Sequence, residues 1–422
     1  MKPQRLADAD LKRLIDRAQG VPADVIDVAA RIMDEVRNGG DEALRTCVQR
    51  FDRFDGDLWL DPARWDALAK ACPADVRRAI DGNLARIQAF HERQRGAEDV
   101  VDVAPGVTLG RRPVPYAAVG CYVPGGQASY PSSVLMTVTP ARIAGVGRII
   151  VATPPRADGV DPAVAYAARA AGATDILLAG GAHAIAALAW GTESVPAVQA
   201  IVGPGNAYVT AAKQRIPHVR TDAPAGPSEL LVLADEDAPV DAIAWDLIAQ
   251  AEHDADAQVL LVTDSADLAD RVAAVLADLA PKAARAAIVQ ASLRDHGAIL
   301  VAESMDDAID FTNAYAPEHL EIMTAEPRAV LERITAAGSV FLGPHAPVPV
   351  GDYGSGTNHV LPTMGHARIH GGLSVDQFRT WMTWQELTRD GLASIADDVA
   401  GLARAEGLIG HAEAVERRLE AP

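Results

Sequence analysis

Residues 175–190 read DILLAGGAHAIAALAW and combine three parts of one structural unit. The apolar run 175–179 predicts a buried strand, Gly180 and Gly181 predict a turn, and the residues that follow predict a helix. A strand that enters a glycine-rich turn before a helix directs free backbone N–H groups and the helix dipole toward an anion. This stretch therefore predicts an α/β protein and makes such turns candidate phosphate or nucleotide sites.

The same pattern recurs along the chain. Strand-like runs lie at 112–123 (RPVPYAAVGCYV), 148–153 (RIIVAT), 259–263 (VLLVT) and 298–302 (AILVA), and AVQAIVGPGNAYVTAAKQ at 197–214 repeats strand, turn and helix. Strands that alternate with helices predict parallel sheets with helices on both faces. None of the turns matches GxGxxG, so they do not specify a nucleotide site by themselves. For Tyr122 and Asn206, a core aromatic and a turn former remain alternatives to cofactor contact.

The N-terminal hundred residues are predicted to be mostly helical. Apolar residues at helical spacing between 21 and 38 predict a helix that Gly39 and Gly40 terminate. Asp41 is predicted to be the N-cap of the next helix, DEALRTCVQRF. These features are scaffold and carry no chemistry.

Composition excludes several classes of protein. The 422 residues carry 57 acidic and 38 basic side chains, a net charge of −19, with no visible basic cluster, which argues against a nucleic-acid partner. The N-terminus lacks an apolar core of signal-peptide length, and no stretch has the length of a membrane span. Three cysteines without CxxC spacing suit a reducing cytoplasm and predict buried free thiols.

A glycine- and histidine-rich segment at 346–374, APVPVGDYGSGTNHVLPTMGHARIHGGLS, is the strongest candidate for a functional loop. A loop of this length is costly to order unless it has a function. Asp352 and His359 could ligate a metal or move a proton. An ordered crossover loop whose polar groups satisfy one another remains the alternative.

Other candidate residues are scattered along the chain. Gln250 and His253 are three apart near the end of a predicted helix and share a face, although a His there can simply answer the helix dipole. Glu318 and His319 follow Pro317, so they can be an acid/base pair or the first turn of a helix. Ser228 precedes a strand in a Pro/Gly turn without GxSxG context, which argues against a serine hydrolase.

In combination, ten blocks resemble one family in collinear order over nearly the whole chain. The blocks are CYVPGG, YPSSVLMTVTPARIAGV, GGAHAIAALAWGT, VGPGNAYVT, AGPSELL, QAEHDADAQ, YAPEHLEI, GDYGSGTNHVLPT, GLSVDQF and RAEGLIGHAEAV. Together they resemble the histidinol dehydrogenase family. The resemblance implies a zinc- and NAD-dependent oxidoreductase that oxidises L-histidinol to L-histidine in two steps through L-histidinaldehyde.

The resemblance also implies residue roles. Glu318 and His319 would be the catalytic acid/base pair, with His319 taking the alcohol proton and Glu318 activating the water that attacks the aldehyde. One Zn²⁺ per subunit would be held by Gln250, His253, Asp352 and His411. Substrate contacts would add Ser228, His319, His359 and Glu406 to those four ligands, and NAD contacts would be made by Tyr122, His183 and Asn206.

Two positions depart from the family pattern. His183 stands where the family usually has a Gln that touches the cofactor, and an imidazole can still donate or accept a hydrogen bond there. Ala223 stands where many members carry Met.

The implied fold is α/β, of the aldehyde-dehydrogenase-like class, with two Rossmann-like parallel-sheet domains, helical N- and C-terminal extensions and an intertwined homodimer. The expected ranges are an N-terminal helical segment at 1–24, a first α/β domain at 25–121 plus 230–372, an NAD-binding second domain at 122–229, and a C-terminal dimerisation segment at 373–422. Glu406 and His411 would then complete the site of the partner subunit.

Three alternatives remain open at this point. A paralogous zinc/NAD-dependent dehydrogenase would act on another small alcohol, such as a sulfonated diol or an amino alcohol. A zinc-dependent hydrolase would use the same His, Asp and Glu residues without a nucleotide, and a non-catalytic binding module would need only the loop. The set Ser228, His359 and Glu406, with the YPSS segment, favours histidinol.

Overall fold

The computed structural model describes residues 1–17, 21–125, 129–224 and 226–420. In this part of the chain, two parallel sheets and one antiparallel sheet are surrounded by helices, which confirms the predicted α/β class. No helix in these ranges has both the length and the apolarity needed to cross a bilayer.

The strands are numbered in chain order. They are β1 Pro3–Arg5, β2 Asp99–Ala104, β3 Val107–Pro115, β4 Ala118–Tyr122, β5 Arg148–Thr153, β6 Asp175–Leu178, β7 Ala200–Val202, β8 Arg220–Thr221, β9 Glu229–Ala234, β10 Gln258–Thr263, β11 Gly297–Val301, β12 His319–Met323, β13 Ser339–Leu342 and β14 Arg379–Leu387.

The helices are numbered in the same way. They are α1 Leu11–Ile15, α2 Ala23–Cys47, α3 Pro62–Ala71, α4 Ala74–Glu92, α5 Pro131–Ala144, α6 Pro162–Ala171, α7 Gly181–Trp190, α8 Ala207–Gln214, α9 Val240–Ala251, α10 Ala266–Leu279, α11 Ala286–Asp295, α12 Met305–Tyr315, α13 Pro327–Leu331, α14 Val348–Tyr353, α15 Arg389–Ala405 and α16 Ile409–Glu420.

The five-stranded parallel sheet has the order β6-β5-β4-β7-β8. In this sheet β4 comes first in the chain, and the strand order reverses between β4 and β7, which makes this the topological switch point of a Rossmann-like sheet. Gly203 follows β7 here with a φ of +116°, and a Cβ on it would lie 2.0 Å from the carbonyl oxygen of Tyr122. Only glycine lets the backbones after β4 and β7 approach this closely.

The six-stranded parallel sheet has the order β1-β11-β10-β9-β12-β13. Apart from the N-terminal β1, it repeats the same pattern: β9 comes first in the chain, and the strand order reverses between β9 and β12. Both faces of β9 are covered: Leu230 and Val232 belong to one apolar cluster, and Leu231 and Leu233 to another. Burial on both faces explains why such strands read as unbroken apolar runs. The N-terminal residues add β1 to this sheet beside β11, so the predicted helical segment 1–24 also contains a strand.

The single strand predicted at 112–123 is wrong. The backbone divides there: β3 ends at Pro115 in an antiparallel sheet with β2 and β14, and β4 begins at Ala118 in the five-stranded sheet. Pro113 and Pro115 pair only with β14, because the pairing of β3 with β2 on its other side ends at Arg111. A missing proline N–H costs no ladder bond on that open edge.

The predicted break at Gly39 and Gly40 is confirmed as a kink inside α2, where Gly40 has φ 58° and ψ −141°. The predicted N-cap role of Asp41 is wrong. Its carboxylate accepts hydrogen bonds from Ser194 and Thr192, and its backbone N–H donates to Glu193 at 2.7 Å. Asp41 therefore fastens the kinked helix to the turn after α7.

The helix start considered for Glu318 and His319 is also wrong. The preceding helix α12 ends at Tyr315, its C-cap Ala316 has a left-handed φ of 53°, and His319 is the first residue of β12. Backbone N–H groups of Gly338 and Ser339 donate to the carbonyls of Pro317 and Glu318. Pairing with β13 therefore draws these residues into the sheet.

The packing differs from the predicted domain ranges. The helices between 23 and 92 lie on the five-stranded sheet, where Met33 shares a core with Ile150, and Ile87 with Val119. The predicted first domain places these helices with 230–372, and its bound at 121 falls inside β4. The three cysteines are buried free thiols, as expected.

Candidate functional site

The candidate acid/base pair lies at the amino ends of β9 and β12. These neighbouring strands begin with Glu229 and His319, and Glu318 immediately precedes β12. The Glu229 N–H donates to Oε2 of Glu318 at 2.8 Å, and the Nδ1 of His319 lies 3.0 Å from the Glu229 carbonyl oxygen. The backbone of Glu229 therefore orients both members of the predicted pair.

The geometry around His319 indicates which ring nitrogen is free. Its Nδ1 faces two acceptors, the Glu229 carbonyl and, at 3.4 Å, Oε2 of Glu318, so the proton belongs on Nδ1. Its Nε2 faces Oδ1 of Asp352 at 4.0 Å. Burial lowers the pKa of His319, but the carboxylates of Glu318 and Asp352 and the Glu229 carbonyl outweigh it and raise the pKa to about 9.

Asp352 joins the two histidines that the sequence singled out. It lies on α14, within the segment 346–374, and its backbone carbonyl is 3.3 Å from Nδ1 of His359. Burial lowers the pKa of His359, although the Asp352 charge opposes this change. The structure therefore brings Glu318, His319, Asp352 and His359 together from two separate regions of the chain.

The segment 346–374 is hydrogen-bonded both to helices that cover the five-stranded sheet and to a strand of the six-stranded sheet. On one side, Asn358 donates to the Met136 carbonyl of α5 at 2.7 Å, and Arg86 of α4 donates to the Gly354 carbonyl. On the other side, the Met364 N–H donates to the Glu229 carboxylate at 2.9 Å. An ordered loop with these anchors can hold Asp352 and His359 at fixed positions.

Gln250 and His253 lie at the end of α9, which packs against α14. The Gln250 Nε2 atom is buried and has no hydrogen-bond partner among the described residues, whereas His253 is exposed just beyond the helix. An unpartnered buried amide together with an imidazole and a carboxylate is a nitrogen and oxygen donor set that suits zinc. Within the described residues, no three His, Cys, Asp or Glu side chains come close enough together to hold a metal.

The other two predicted C-terminal site residues lie apart from this cluster. Glu406 ends α15 and His411 lies on α16, and both side chains are exposed. These two helices pack mainly on each other. Ser228, in contrast, is adjacent to Glu229, and its carbonyl accepts the Gln258 N–H at 2.9 Å.

The predicted cofactor residues gather at the carboxyl edge of the five-stranded sheet. Tyr122 ends β4, and its hydroxyl accepts the Gly181 N–H at 3.0 Å. His183, on α7, places Nε2 at 2.8 Å from the Asp52 carboxylate, which also accepts the Gly180 N–H. The turn N–H groups predicted to face an anion are therefore held by side chains of the protein itself.

Asn206 lies on the other side of the switch point. Its side chain accepts the N–H groups of Tyr208 and Val209 and so caps α8, as its alternative role as a turn former predicted. Asp52, which the sequence analysis missed, ends a π-helical turn at Val48–Asp52, and Arg53 follows in the left-handed region with φ 55°. Both irregularities are frequent at functional sites.

A second missed feature is a buried pair of carboxyl groups beneath the site. Asp246 on α9 faces Glu321 on β12, and Glu321 accepts the Val348 N–H at the start of α14. Burial raises the pKa of Asp246 to about 6 and raises that of Glu321 well above its ordinary value. The pair thus joins the three elements that carry Gln250, His319 and Asp352.

Some of the missed residues left a signal in the sequence and others did not. Glu229 and Glu321 are single acids within otherwise apolar strands, ELLVLA and HLEIM, and an acid in a fully buried strand must have a partner. Asp52 and Arg17, in contrast, are ordinary charged residues of amphipathic segments, and nothing in their surroundings marks them.

Comparisons with known proteins agree with the resemblance. The family model described as histidinol dehydrogenase matches residues 15–419. Histidinol dehydrogenase from Methanosarcina barkeri is 44% identical over 98% of this chain and 96% of its own length, and that from Haloarcula marismortui is 49% identical over 96% of each. The crystal structure of histidinol dehydrogenase from Elizabethkingia anophelis superposes with a TM-score of 0.95, at 35% identity, over 100% of this chain and 98% of the other.

The buried carboxyl pair predicts a pH dependence of stability. A carboxyl group whose pKa is raised by folding binds its proton more tightly in the native state, so its contribution is complete below about pH 4 and is lost as the pH rises through about 6. Asp246→Asn removes this loss. Between pH 5 and pH 8, we expect the free energy of unfolding to fall by about 1–2 kcal/mol more in the wild type than in Asp246→Asn.

Denaturant unfolding at several pH values measures this difference. Asp241→Asn is the matched control, because Asp241 lies on the same helix and is exposed. Curves for the wild type and Asp246→Asn that run parallel from pH 5 to pH 8 would show that the two carboxyl groups do not share a proton.

Proposed function

Because this chain belongs to the histidinol dehydrogenase family, we propose that it oxidises L-histidinol to L-histidine in two successive steps through L-histidinaldehyde, with NAD as the oxidant, at the end of histidine biosynthesis. The family match over residues 15–419 carries this proposal. The cluster of Glu318, His319, Asp352 and His359 supports it, because it combines an acid/base pair with a carboxylate and an imidazole for a small polar substrate. The free thiols of the three cysteines fit a cytoplasmic enzyme.

In the first step, His319 is the base that takes the proton of the substrate hydroxyl. Its Nδ1–H is held by the Glu229 carbonyl, so Nε2 is the atom that accepts this proton. NAD, when bound, would supply the hydride acceptor for each oxidation. The products of this step are the aldehyde, NADH and one proton.

In the second step, water adds to the aldehyde carbon: Glu318 takes one of the water protons, and His319 returns the proton it took in the first step to the aldehyde oxygen, which forms the hydrated aldehyde. The hydrate then loses a hydroxyl proton to His319 and a hydride from carbon, which leaves the carboxylic acid. The buried position of Glu318, with Oε2 held by the Glu229 N–H, keeps the base oriented toward one place.

We assign the zinc site to Gln250, His253 and Asp352, completed by His411. The unpartnered Gln250 amide and the packing of α9 on α14 support this assignment. If zinc is bound by these residues, it would supply a Lewis acid that orients the imidazole and amino groups of the substrate, and its charge would offset the Asp352 carboxylate that helps to raise the pKa of His319. Ser228, His359 and Glu406 are assigned as further substrate contacts.

We assign the NAD site to the switch point of the five-stranded sheet, at Tyr122, His183 and Asn206. Ligands of open α/β sheets bind outside the carboxyl ends of the strands where the strand order reverses, and Tyr122 and Asn206 lie on either side of that reversal. His183 is held at this edge by its contact with Asp52, whose carboxylate also accepts the Gly180 N–H.

We propose a homodimer in which Glu406 and His411 complete the site of the partner subunit. The C-terminal helices α15 and α16 expose Leu402, Leu408 and Ile409, and β2 exposes Val100, Val101 and Val103. Exposed apolar surface of this kind is typical of subunit interfaces. The separation of His411 from the other proposed ligands also supports a contribution in trans.

The reaction is tested by NADH absorbance with purified, zinc-loaded protein. We expect two NADH for each L-histidinol, because oxidation of an alcohol to an acid removes four electrons. His319→Asn should lower the rate by about 10²–10⁴-fold, whereas the control His345→Asn, at an exposed position, should leave it unchanged. One NADH per substrate, or turnover only of other small alcohols, would assign the chain to a paralogous activity.

Mixed dimers test the shared site. Neither Glu318→Gln nor His411→Ala should be active alone, but a hybrid of the two chains retains one intact site if His411 acts in trans. Random reassociation of equal amounts should recover about a quarter of the wild-type specific activity. Mixtures that remain inactive, with heterodimers demonstrated by mass spectrometry, would contradict the shared site.

The role of His183 predicts a specific effect on the cofactor. His183→Ala removes the partner of Asp52 and should raise the KM for NAD by about tenfold with little change in the KM for histidinol. His183→Gln retains a side-chain donor for Asp52 and is the matched variant, expected to stay within a few-fold of the wild type. Equal changes in both KM values would refute a role confined to the cofactor site.

A further inference from the structure

Arg17, in the N-terminal segment, is buried beneath the acid/base pair. Its Nε and Nη2 atoms donate to the two carboxylate oxygens of Glu229 at 3.1 and 3.0 Å, and both side chains are at most 2% exposed. Nη1 donates to the Leu14 carbonyl and Nη2 to the Tyr315 carbonyl, and the guanidinium lies 3.4 Å from the centre of the Tyr315 ring. All three nitrogens of this guanidinium are therefore used.

The residue that links Arg17 to Glu318 is Glu229. Its carboxylate accepts the Met364 N–H at 2.9 Å and the Glu318 N–H at 3.4 Å, in addition to the bonds from Arg17. Met364 and Ala316 flank this contact and are two of the three non-glycine residues with positive φ in the described ranges. Backbone in the left-handed region persists only where its surroundings hold it, and Glu229 supplies that hold for Met364.

The charges in this cluster impose a constraint on Glu318. Glu229 and Glu318 are both buried acids at the same edge of neighbouring strands, and burial raises the pKa of Glu229 while the Arg17 guanidinium opposes this change. Other groups that face Glu318 are His319 beside it, Tyr315 from α12, and His359 from the segment 346–374. Arg17 forms an ion pair with Glu229 and so offsets the negative charge that lies beside Glu318.

We propose that Arg17, acting through Glu229, is a positioning residue that holds the Glu318 carboxylate in the orientation needed for the water-activating step. This inference rests on the proposed function and extends it to residues outside the predicted site. Its consequence is selective: the second oxidation, which needs a carboxylate base, depends on the Arg17–Glu229 pair more than the first, which uses Nε2 of His319.

The test separates charge from shape with four variants and a control. Arg17→Met should lower the rate of L-histidinaldehyde oxidation by roughly a hundredfold and lower histidinol oxidation by less than about tenfold, because the Glu318 carboxylate loses its fixed orientation. Arg17→Met combined with Glu229→Gln removes both charges and should regain at least about tenfold of the lost aldehyde rate. Arg13→Met changes an exposed arginine of the same segment and should match the wild type.

Arg17→Lys is the replacement variant if Arg17→Met folds poorly. Lysine retains the positive charge but loses the two-pronged bond to Glu229, so most of the aldehyde rate should remain. A lysine variant as impaired as a correctly folded Arg17→Gln variant in the aldehyde step would overturn the proposal. Equal losses in both oxidations, or a double variant no faster than Arg17→Met, would also overturn it, because a merely structural role predicts both results.

A readout without substrate distinguishes failure of this inference from failure of the proposed function. Hydrogen–deuterium exchange should become faster in peptides covering 316–319 and 360–366 of Arg17→Met, because Glu229 holds the N–H groups of Glu318 and Met364. The same peptides should be unchanged in Arg13→Met. Unchanged exchange in Arg17→Met refutes the positioning role, whereas a wild type that forms no NADH from histidinol refutes only the reaction.

Discussion

A charged group removed from water must be paired and hydrogen-bonded, and the buried Glu229 carboxylate meets this demand by joining distant parts of the chain. Arg17 comes from the N-terminal segment, Met364 from the segment 346–374, and Glu318 from the position just before β12. The backbone of the same residue holds Oε2 of Glu318 and Nδ1 of His319. Electrostatic neutrality at one residue therefore determines where the acid/base pair and the loop can lie.

The segment 346–374 also depends on Glu229. It is anchored to α4 and α5 on the five-stranded side and to Glu229 on the six-stranded side, so it links the two parallel sheets at the place where substrate would lie. Asp246 and Glu321 complete the support from below, since they connect α9, β12 and α14. A loop fixed on both sides can carry Asp352 and His359 without a regular strand beneath them.

The two sheets share one topology, but the candidate site residues lie at opposite edges of them. At the five-stranded sheet, Tyr122 and Asn206 lie at the carboxyl ends of strands beside the switch point, as expected for a nucleotide site in an open α/β sheet. At the six-stranded sheet, Glu229 and His319 lie at the amino ends of β9 and β12. Irregular backbone marks both regions, at Arg53 beside Asp52 and at Ala316 and Met364 around Glu229.

The sequence by itself determined the α/β class, the strands at 148–153, 259–263 and 298–302, and the family, because apolar strands, glycine turns and motifs are local patterns. It also predicted a shared site for Glu318, His319, Asp352 and His359, which the structure brings close together. Only the tertiary structure decided that 112–123 divides between two sheets, that His319 begins a strand, and that the helices at 23–92 lie on the five-stranded sheet. It alone identified Arg17, Asp52 and the Asp246–Glu321 pair, since the pairing of buried charges depends on contacts between residues far apart in the chain, which periodicity does not record.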